Sequence, residues 1–163
     1  MKRKDMRKLF LTFFYTGLSP YAPGTVGSIA AAVAGYFILQ YFPVSTLFLL
    51  SILITLLALK EINIYENEYN KKDPKEIVID EVVGVWLAFS LSSATILQMV
   101  LSLVFFRIYD IWKPSLIGKI DKEYDGGKGV MGDDIVAGIL AGISSALVYQ
   151  GYLYIIKQGY ITF

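Results

Sequence analysis

Between Thr25 and Lys60 the chain runs through two apolar stretches, TVGSIAAAVAGYFILQYF and VSTLFLLSILITLLALK, with Pro43 alone between them. Each approaches the roughly 20 residues with which an α-helix crosses a hydrocarbon core of about 30 Å. A turn that short makes them an antiparallel hairpin. A further stretch of spanning length, IVAGILAGISSALVYQGYLYII, covers Ile135 to Ile156. Composition agrees: 55% of the 163 residues are hydrophobic and only 18% are charged, and the mean hydropathy is +0.54. A soluble domain carries fewer apolar and more charged residues than this, so lipid is the expected solvent. The expected architecture is all-α, a membrane-embedded helical bundle, with residues 1–163 forming one domain.

The run from Ile77 to Ile108 is different. A weak break at Ser92 and Ser93 divides it into two helices of roughly 12 to 15 residues, whereas two full crossings need about 40. Either one long tilted crossing or a shallow re-entrant pair of helices fits. The basic loop containing Lys113, Lys119, Lys122 and Lys128 belongs on the cytoplasmic side by the positive-inside rule. That favours the re-entrant arrangement, in which every polar cluster faces the cytoplasmic membrane edge. The N-terminal MKRKDMRKLFLTFFYTGLSP has the basic start and apolar run of a signal peptide, but the run is short and no A-x-A cleavage site follows. It reads as a retained interfacial segment with Lys2, Arg3, Lys4, Arg7 and Lys8 in water or against anionic headgroups. From Glu61 to Glu76 the chain is polar and helical in character until Asp73 and Pro74 interrupt it. There is no internal repeat or low-complexity segment.

Several function classes are excluded at once. With a net charge of +1 and no basic stripe with interleaved aromatics, nothing points to nucleic acid. Cys and His are both absent, which removes thiolate or imidazole metal sites, Ser-His-Asp triads, Cys nucleophiles and phosphohistidine chemistry. Catalysis must use carboxylates, Lys, Arg, hydroxyls or a hard metal.

Three polar clusters offer such groups. In IVIDEVVGVW, Asp80 and Glu81 open an apolar helix, with Gly84 one turn from Asp80 on the same face. In FFRIYDIWKP, Arg107, Asp110 and Lys113 recur at i+3 before Pro114 ends the helix. In GGKGVMGDDIVAGILAG, Asp133 and Asp134 follow a glycine-rich stretch whose backbone freedom can bring amides to a phosphate. Each has a bland alternative. Asp80 and Glu81, or Asp133 and Asp134, cap helix starts for about 0.5 to 2 kcal/mol; Arg107 and Asp110 pair within their helix while Lys113 snorkels; Gly138 and Gly142 form a helix-packing notch. Together these alternatives weaken, because the acids and the two cations gather at membrane-edge positions in a chain that otherwise keeps charge out of its apolar segments. Carboxylates with water are the ligands Mg²⁺ prefers, and Arg and Lys hold phosphate oxygens. The set reads as a metal-dependent phosphoryl site facing a lipid headgroup.

The blocks GLSPYAPGTVGS (Gly17 to Ser28), DEVVGVW (Asp80 to Trp86), FRIYDIWKP (Phe106 to Pro114) and GGKGVMGDDIVAG (Gly126 to Gly138) resemble the bacterial phosphatidylglycerophosphatase A family, in order and over most of the chain. The resemblance implies an all-α, Mg²⁺-dependent phosphoric monoester hydrolase of glycerophospholipid biosynthesis. It implies hydrolysis of phosphatidylglycerophosphate to phosphatidylglycerol and phosphate, in a multi-pass protein of the bacterial inner membrane. It also gives Thr25 and Ser28, at a helix start, a role in donating hydroxyl and backbone N–H groups to phosphate. On this basis Asp80, Glu81, Asp133 and Asp134 are expected to hold Mg²⁺, directly or through water. Arg107 and Lys113 stabilise phosphoryl oxygens, and Asp110 orients Arg107 or acts as general base. An aspartyl-phosphate on Asp110 ranks lower, because YDIWK lacks the D-x-D-x-T pattern of haloacid dehalogenases. Two rival classes remain. A CDP-alcohol phosphotransferase lacks its D-G-x-x-A-R signature here, and a small membrane cation carrier wants ionisable groups at mid-membrane rather than at helix ends.

Overall fold

The computed structural model describes residues 3–92, 95–114, 117–118 and 126–158. Six helices organise them: α1 (Arg3–Leu11), α2 (Pro23–Tyr41), α3 (Val44–Tyr69), α4 (Ile79–Leu91), α5 (Ile96–Trp112) and α6 (Gly127–Lys157), with a 3₁₀ turn at Thr16–Leu18. No strand occurs among the described residues. Lys2, Ser93, Lys119 and Lys122, on which parts of the sequence reading rest, lie outside them.

α2, α3 and α6 are long and apolar enough to cross a membrane. α2 and α3 form the expected hairpin, because extended backbone at Phe42 and Pro43 leaves no room for more than a tight turn. α4, with 13 residues, rises only about 20 Å and stops short of a crossing. Thr95 restarts the chain by accepting a bond from the backbone N–H of Gln98, and α5 runs back. Arg107 and Lys113 at the far end of α5 reach α2 and the start of α6 respectively. The third apolar block is therefore a re-entrant helical pair, and the polar clusters share one end of the bundle.

α4 is the central element. Ile79, Val82, Val83, Val85, Ala88 and Phe89 are all essentially inaccessible. In lipid the hydrophobic effect does not drive helices together, so close packing of small residues must. A Cβ on Gly138 would collide with the Gly84 carbonyl, and one on Gly142 would lie 2.8 Å from the Ala88 carbonyl. The notch expected at Gly138 and Gly142 is thus a backbone-to-backbone crossing of α6 on α4. On the other side Trp86 donates its indole N–H to the Ala31 carbonyl at 2.8 Å, beneath Gly35 of α2.

Three expectations are corrected. α6 begins at Gly127, with Gly126 at its N-cap, so Asp133 and Asp134 lie inside the helix and cap nothing. The glycines mislead because helix propensity costs them about 1 kcal/mol each, yet a Cβ on Gly127 would sit 2.5 Å from the Leu59 carbonyl. Close approach to α3, together with a bond from the Gly127 N–H to Asn63 Oδ1 at 2.8 Å, selects glycine within the helix rather than a loop of free amides. Neither Asp80 nor Glu81 caps α4 either, since Val78 holds that position and no side chain bonds it. Finally, Arg7 does not rest in water. It is 7% exposed and binds Glu61 at 2.6 Å and Glu68 at 2.7 Å. These acids stand seven residues apart, on one face of the polar extension that carries α3 to Tyr69.

Gly138→Leu is expected to lower the thermal midpoint of the detergent-solubilised protein strongly, by forcing α6 off α4. Gly151→Ala, where a Cβ meets nothing within 4 Å, should raise it slightly, in line with the ~0.5 to 1 kcal/mol that alanine gains over glycine in a helix. Circular dichroism melts of the two variants check both signs.

Candidate active site

The α4 and α6 crossing sets the register of the acids. Asp80 precedes Gly84 by one turn, and Asp134 precedes Gly138 by one turn. With the glycines in contact, the two aspartates are brought side by side. The carboxylate oxygens of Asp80, Glu81 and Asp134 come within 4.8 Å of one another. Glu81 is 8% exposed and Asp134 3%. Asp110, from the last turn of α5, lies within hydrogen-bonding reach of Asp134.

The cations approach from α5. Arg107 binds Asp110 Oδ2 at 2.5 Å and directs its guanidinium to Ser28 Oγ at 3.3 Å and Thr25 Oγ1 at 3.2 Å on α2. Lys113 ends α5 in left-handed conformation (φ 43°), a strained choice for a residue with a Cβ. From there its Nζ reaches Asp133 Oδ2 at 2.8 Å. Asp133 therefore stands beside the trio with one oxygen on Lys113 and the other accepting from the Asp134 N–H at 3.0 Å. Gly24, at the start of α2, makes room for the acids: a Cβ there would run into Glu81 Oε1.

Asp80, Glu81, Asp110, Lys113, Asp133 and Asp134 open onto a cavity of about 250 Å³ at the polar end of the bundle, walled also by Asp73, Lys75 and Val130. Asp80 Oδ1, Glu81 Oε2 and Arg107 Nε are buried without a hydrogen-bond partner. Burial, and then the charge of Glu81, push the Asp80 carboxyl well above the usual carboxylate range. Burial likewise raises Glu81 to about 8. Three acids this close keep their charges only if a cation offsets them. Orphaned carboxylate oxygens on a shared cavity are the donor set a hard divalent ion takes.

Every site residue expected from the sequence either lines this cavity or, as Arg107, Thr25 and Ser28 do, belongs to the group bonded beside Asp110. Asn63, Asp73, Lys75 and Gly24 were not foreseen. A signal for the central crossing was nonetheless present: DEVVG (Asp80 to Gly84) and DIVAG (Asp134 to Gly138) carry the same acid-to-glycine spacing, on the two helices that pack. For Asp73 and Lys75 no local pattern exists, since the turn after α3 alone carries them to the cavity.

The phosphatidylglycerophosphatase A family model matches residues 9–149. A Bacteroides thetaiotaomicron protein provisionally named a phosphatidylinositol-3-phosphatase is 35% identical over 155 residues, 90% of this chain and 96% of that protein. The phosphatidylglycerophosphatase A of Escherichia coli is 33% identical over 91% of this chain and 85% of its own. That of Haemophilus influenzae is 33% identical over 78% and 79%. No solved structure matches. The helical membrane fold and these matches define the class, a membrane-embedded phosphoric monoester hydrolase. Within that class the chain belongs to the phosphatidylglycerophosphatase A family.

Gly24→Ala tests the tightness of the acid cluster. Alanine favours the helix by up to about 1 kcal/mol, so the thermal midpoint should hold or rise, while displacement of Glu81 should cut hydrolase turnover by about tenfold. Unchanged turnover in the folded variant would show that Glu81 needs no such placement.

Proposed function

We propose that the protein hydrolyses phosphatidylglycerophosphate to phosphatidylglycerol and inorganic phosphate, with Mg²⁺ at the acid cluster, on the cytoplasmic face of the inner membrane. The observation that carries this reading is the pair of orphaned oxygens on Asp80 and Glu81, beside Asp134 and on a cavity that Asp110 and Lys113 also line, with Arg107, Thr25 and Ser28 bonded together next to Asp110. Clustered acids with donors beside them suit a metal-neutralised phosphomonoester.

Asp80, Glu81 and Asp134 would hold the ion, with Asp133 contributing through water. The bound ion supplies charge neutralisation of the phosphoryl group and a more acidic water. Arg107, already oriented by Asp110 and flanked by two hydroxyls, binds equatorial phosphoryl oxygens bidentately. Lys113 adds a second positive charge that can leave Asp133 for substrate. Asp110 is the group placed to take a proton from the attacking water. As the water oxygen forms its bond to phosphorus, the bond to the glycerol oxygen breaks, and that oxygen leaves with a proton as the free alcohol. Exposed Arg3, Lys4 and Lys75 and half-buried Lys8 gather at the same end of the bundle, which supports the cytoplasmic assignment. A carrier of cations is disfavoured because the acids converge on a cavity at one end, while the described stretches 82–91, 96–106 and 135–156 carry no charged side chain.

Purified protein should release phosphate from phosphatidylglycerophosphate with Mg²⁺ and lose this activity with EDTA. Phosphatidylinositol 3-phosphate serves as the competing substrate suggested by the Bacteroides relative. Asp80→Asn and Asp134→Asn should each reduce turnover at least about a hundredfold and weaken Mn²⁺ binding measured by calorimetry. Wild-type Mn²⁺ affinity in both folded variants would remove the metal assignment, and a clear preference for the inositol lipid would replace the substrate.

A further inference from the structure

A second groove begins where the polar cavity ends. Thr25, Ser28 and Arg107 are its polar lining residues, and the rest of its wall, including Ile108, Ile111 and Trp112 toward the polar end, is apolar, formed by one face of α2 and one of α5. This part encloses about 560 Å³. A further 280 Å³ continues it toward the bundle centre, the two parts sharing Ile29 and Leu103 and the deeper one ending near Tyr36 and Ile96. The groove is open to lipid along its length, as half-exposed Val33, Val100 and Val104 show. Nothing in the acid cluster requires an apolar cleft of this extent, and bundle packing does not explain why α2 and α5 stay parted here while α2 closes tightly on α4.

Its dimensions and polarity identify an occupant. From Thr25 to Tyr36, and from Arg107 to Ile96, each wall covers twelve residues, a rise of about 16 Å of helix. That is half of the ~30 Å hydrocarbon thickness, which is the depth one acyl chain occupies in its own leaflet. The half nearer the cavity carries a guanidinium and two hydroxyls, while the remainder carries no charge. An anionic headgroup joined to a single extended hydrocarbon chain complements both features. A second copy of this chain would bring apolar side chains but no anion for Arg107.

We propose that the α2–α5 groove is the acyl-chain site of the lipid substrate. One chain slides in laterally from the bilayer and lies along Ile29, Val33 and Val100, while the phosphate is delivered past Arg107 to the acid cluster. This rests on the proposed hydrolysis of a lipid phosphomonoester and adds how the lipid is recognised. It makes the enzyme a reader of chain length, because hexanoyl chains end above Val33 whereas palmitoyl chains pass it.

The test uses Val33→Trp and Val100→Trp, which fill the deeper half without touching the polar groups, and Leu49→Trp, an exposed lipid-facing position on α3. On dipalmitoyl phosphatidylglycerophosphate in detergent micelles the two groove variants should lose about tenfold in kcat/KM, the scale of overpacking a fitted site. On the dihexanoyl substrate they should stay within about twofold of wild type, and Leu49→Trp should do so on both. Equal losses on both substrates, or none, would overturn the proposal. A second readout needs no turnover. Dipalmitoyl phosphatidylglycerophosphate with a diazirine midway along one chain should label α2 and α5 peptides, and Val33→Trp should abolish that labelling. Labelling spread over α3 and the outer face of α6 would overturn the groove even in an active enzyme. Groove labelling without phosphate release would instead overturn the hydrolase reading and leave the lipid site standing.

Discussion

The arrangement depends on how closely α6 lies on α4. Gly84 and Gly138 bring two backbones into contact, and one turn earlier on each helix stands an aspartate. A side chain at either glycine would part the helices and separate Asp80 from Asp134. The same crossing places Asp134 beneath Asp110 of α5, so one packing contact positions acids from three helices. In a bilayer this is an economical way to bring charges together, because apolar helices have no preference for one another over lipid except where small residues allow closer approach.

The polar end of the bundle is then completed by elements that add opposing charge. α5 contributes Arg107 and, through its left-handed final residue, Lys113. α2 contributes two hydroxyls and a glycine that yields space to Glu81. Away from the cavity Arg7 fastens α1 to Glu61 and Glu68 of α3, an arrangement in which each hydrogen bond to a charged group is worth about 1.5 to 3 kcal/mol. Arg107 links the cavity and the apolar groove, since it lines the groove and binds Asp110, which lines the cavity. A lipid phosphate is the molecule with the same division.

Much of this could be read from residue order. The spanning helices follow from the lengths of uncharged runs, and the re-entrant pair follows from an apolar block too long for one crossing and too short for two. The site residues stood out because charge is expensive near hydrocarbon and these charges recur at helix ends. The errors came from local rules applied where tertiary contact prevails. Glycines 126 to 132 read as a loop by propensity, but Gly127 is there because α3 lies against it, and the helix starts some eight residues before Ile135. Asp133 and Asp134 read as caps for the same reason. Arg7 read as a solvated charge because its partners are more than fifty residues away.

The sequence by itself determined that the chain is helical, that its long apolar runs suit lipid, and that thiolate and imidazole chemistry is closed to it. These are consequences of composition and of distance along the chain. Only the tertiary structure decided that Asp80, Glu81 and Asp134 form one cluster while Asp133 turns to Lys113, that Arg107 is held by hydroxyls of α2, and that an apolar groove leads away from it. Those facts depend on which helix faces touch and which remain apart, and that is settled by the fit of small residues between helices far separated in sequence.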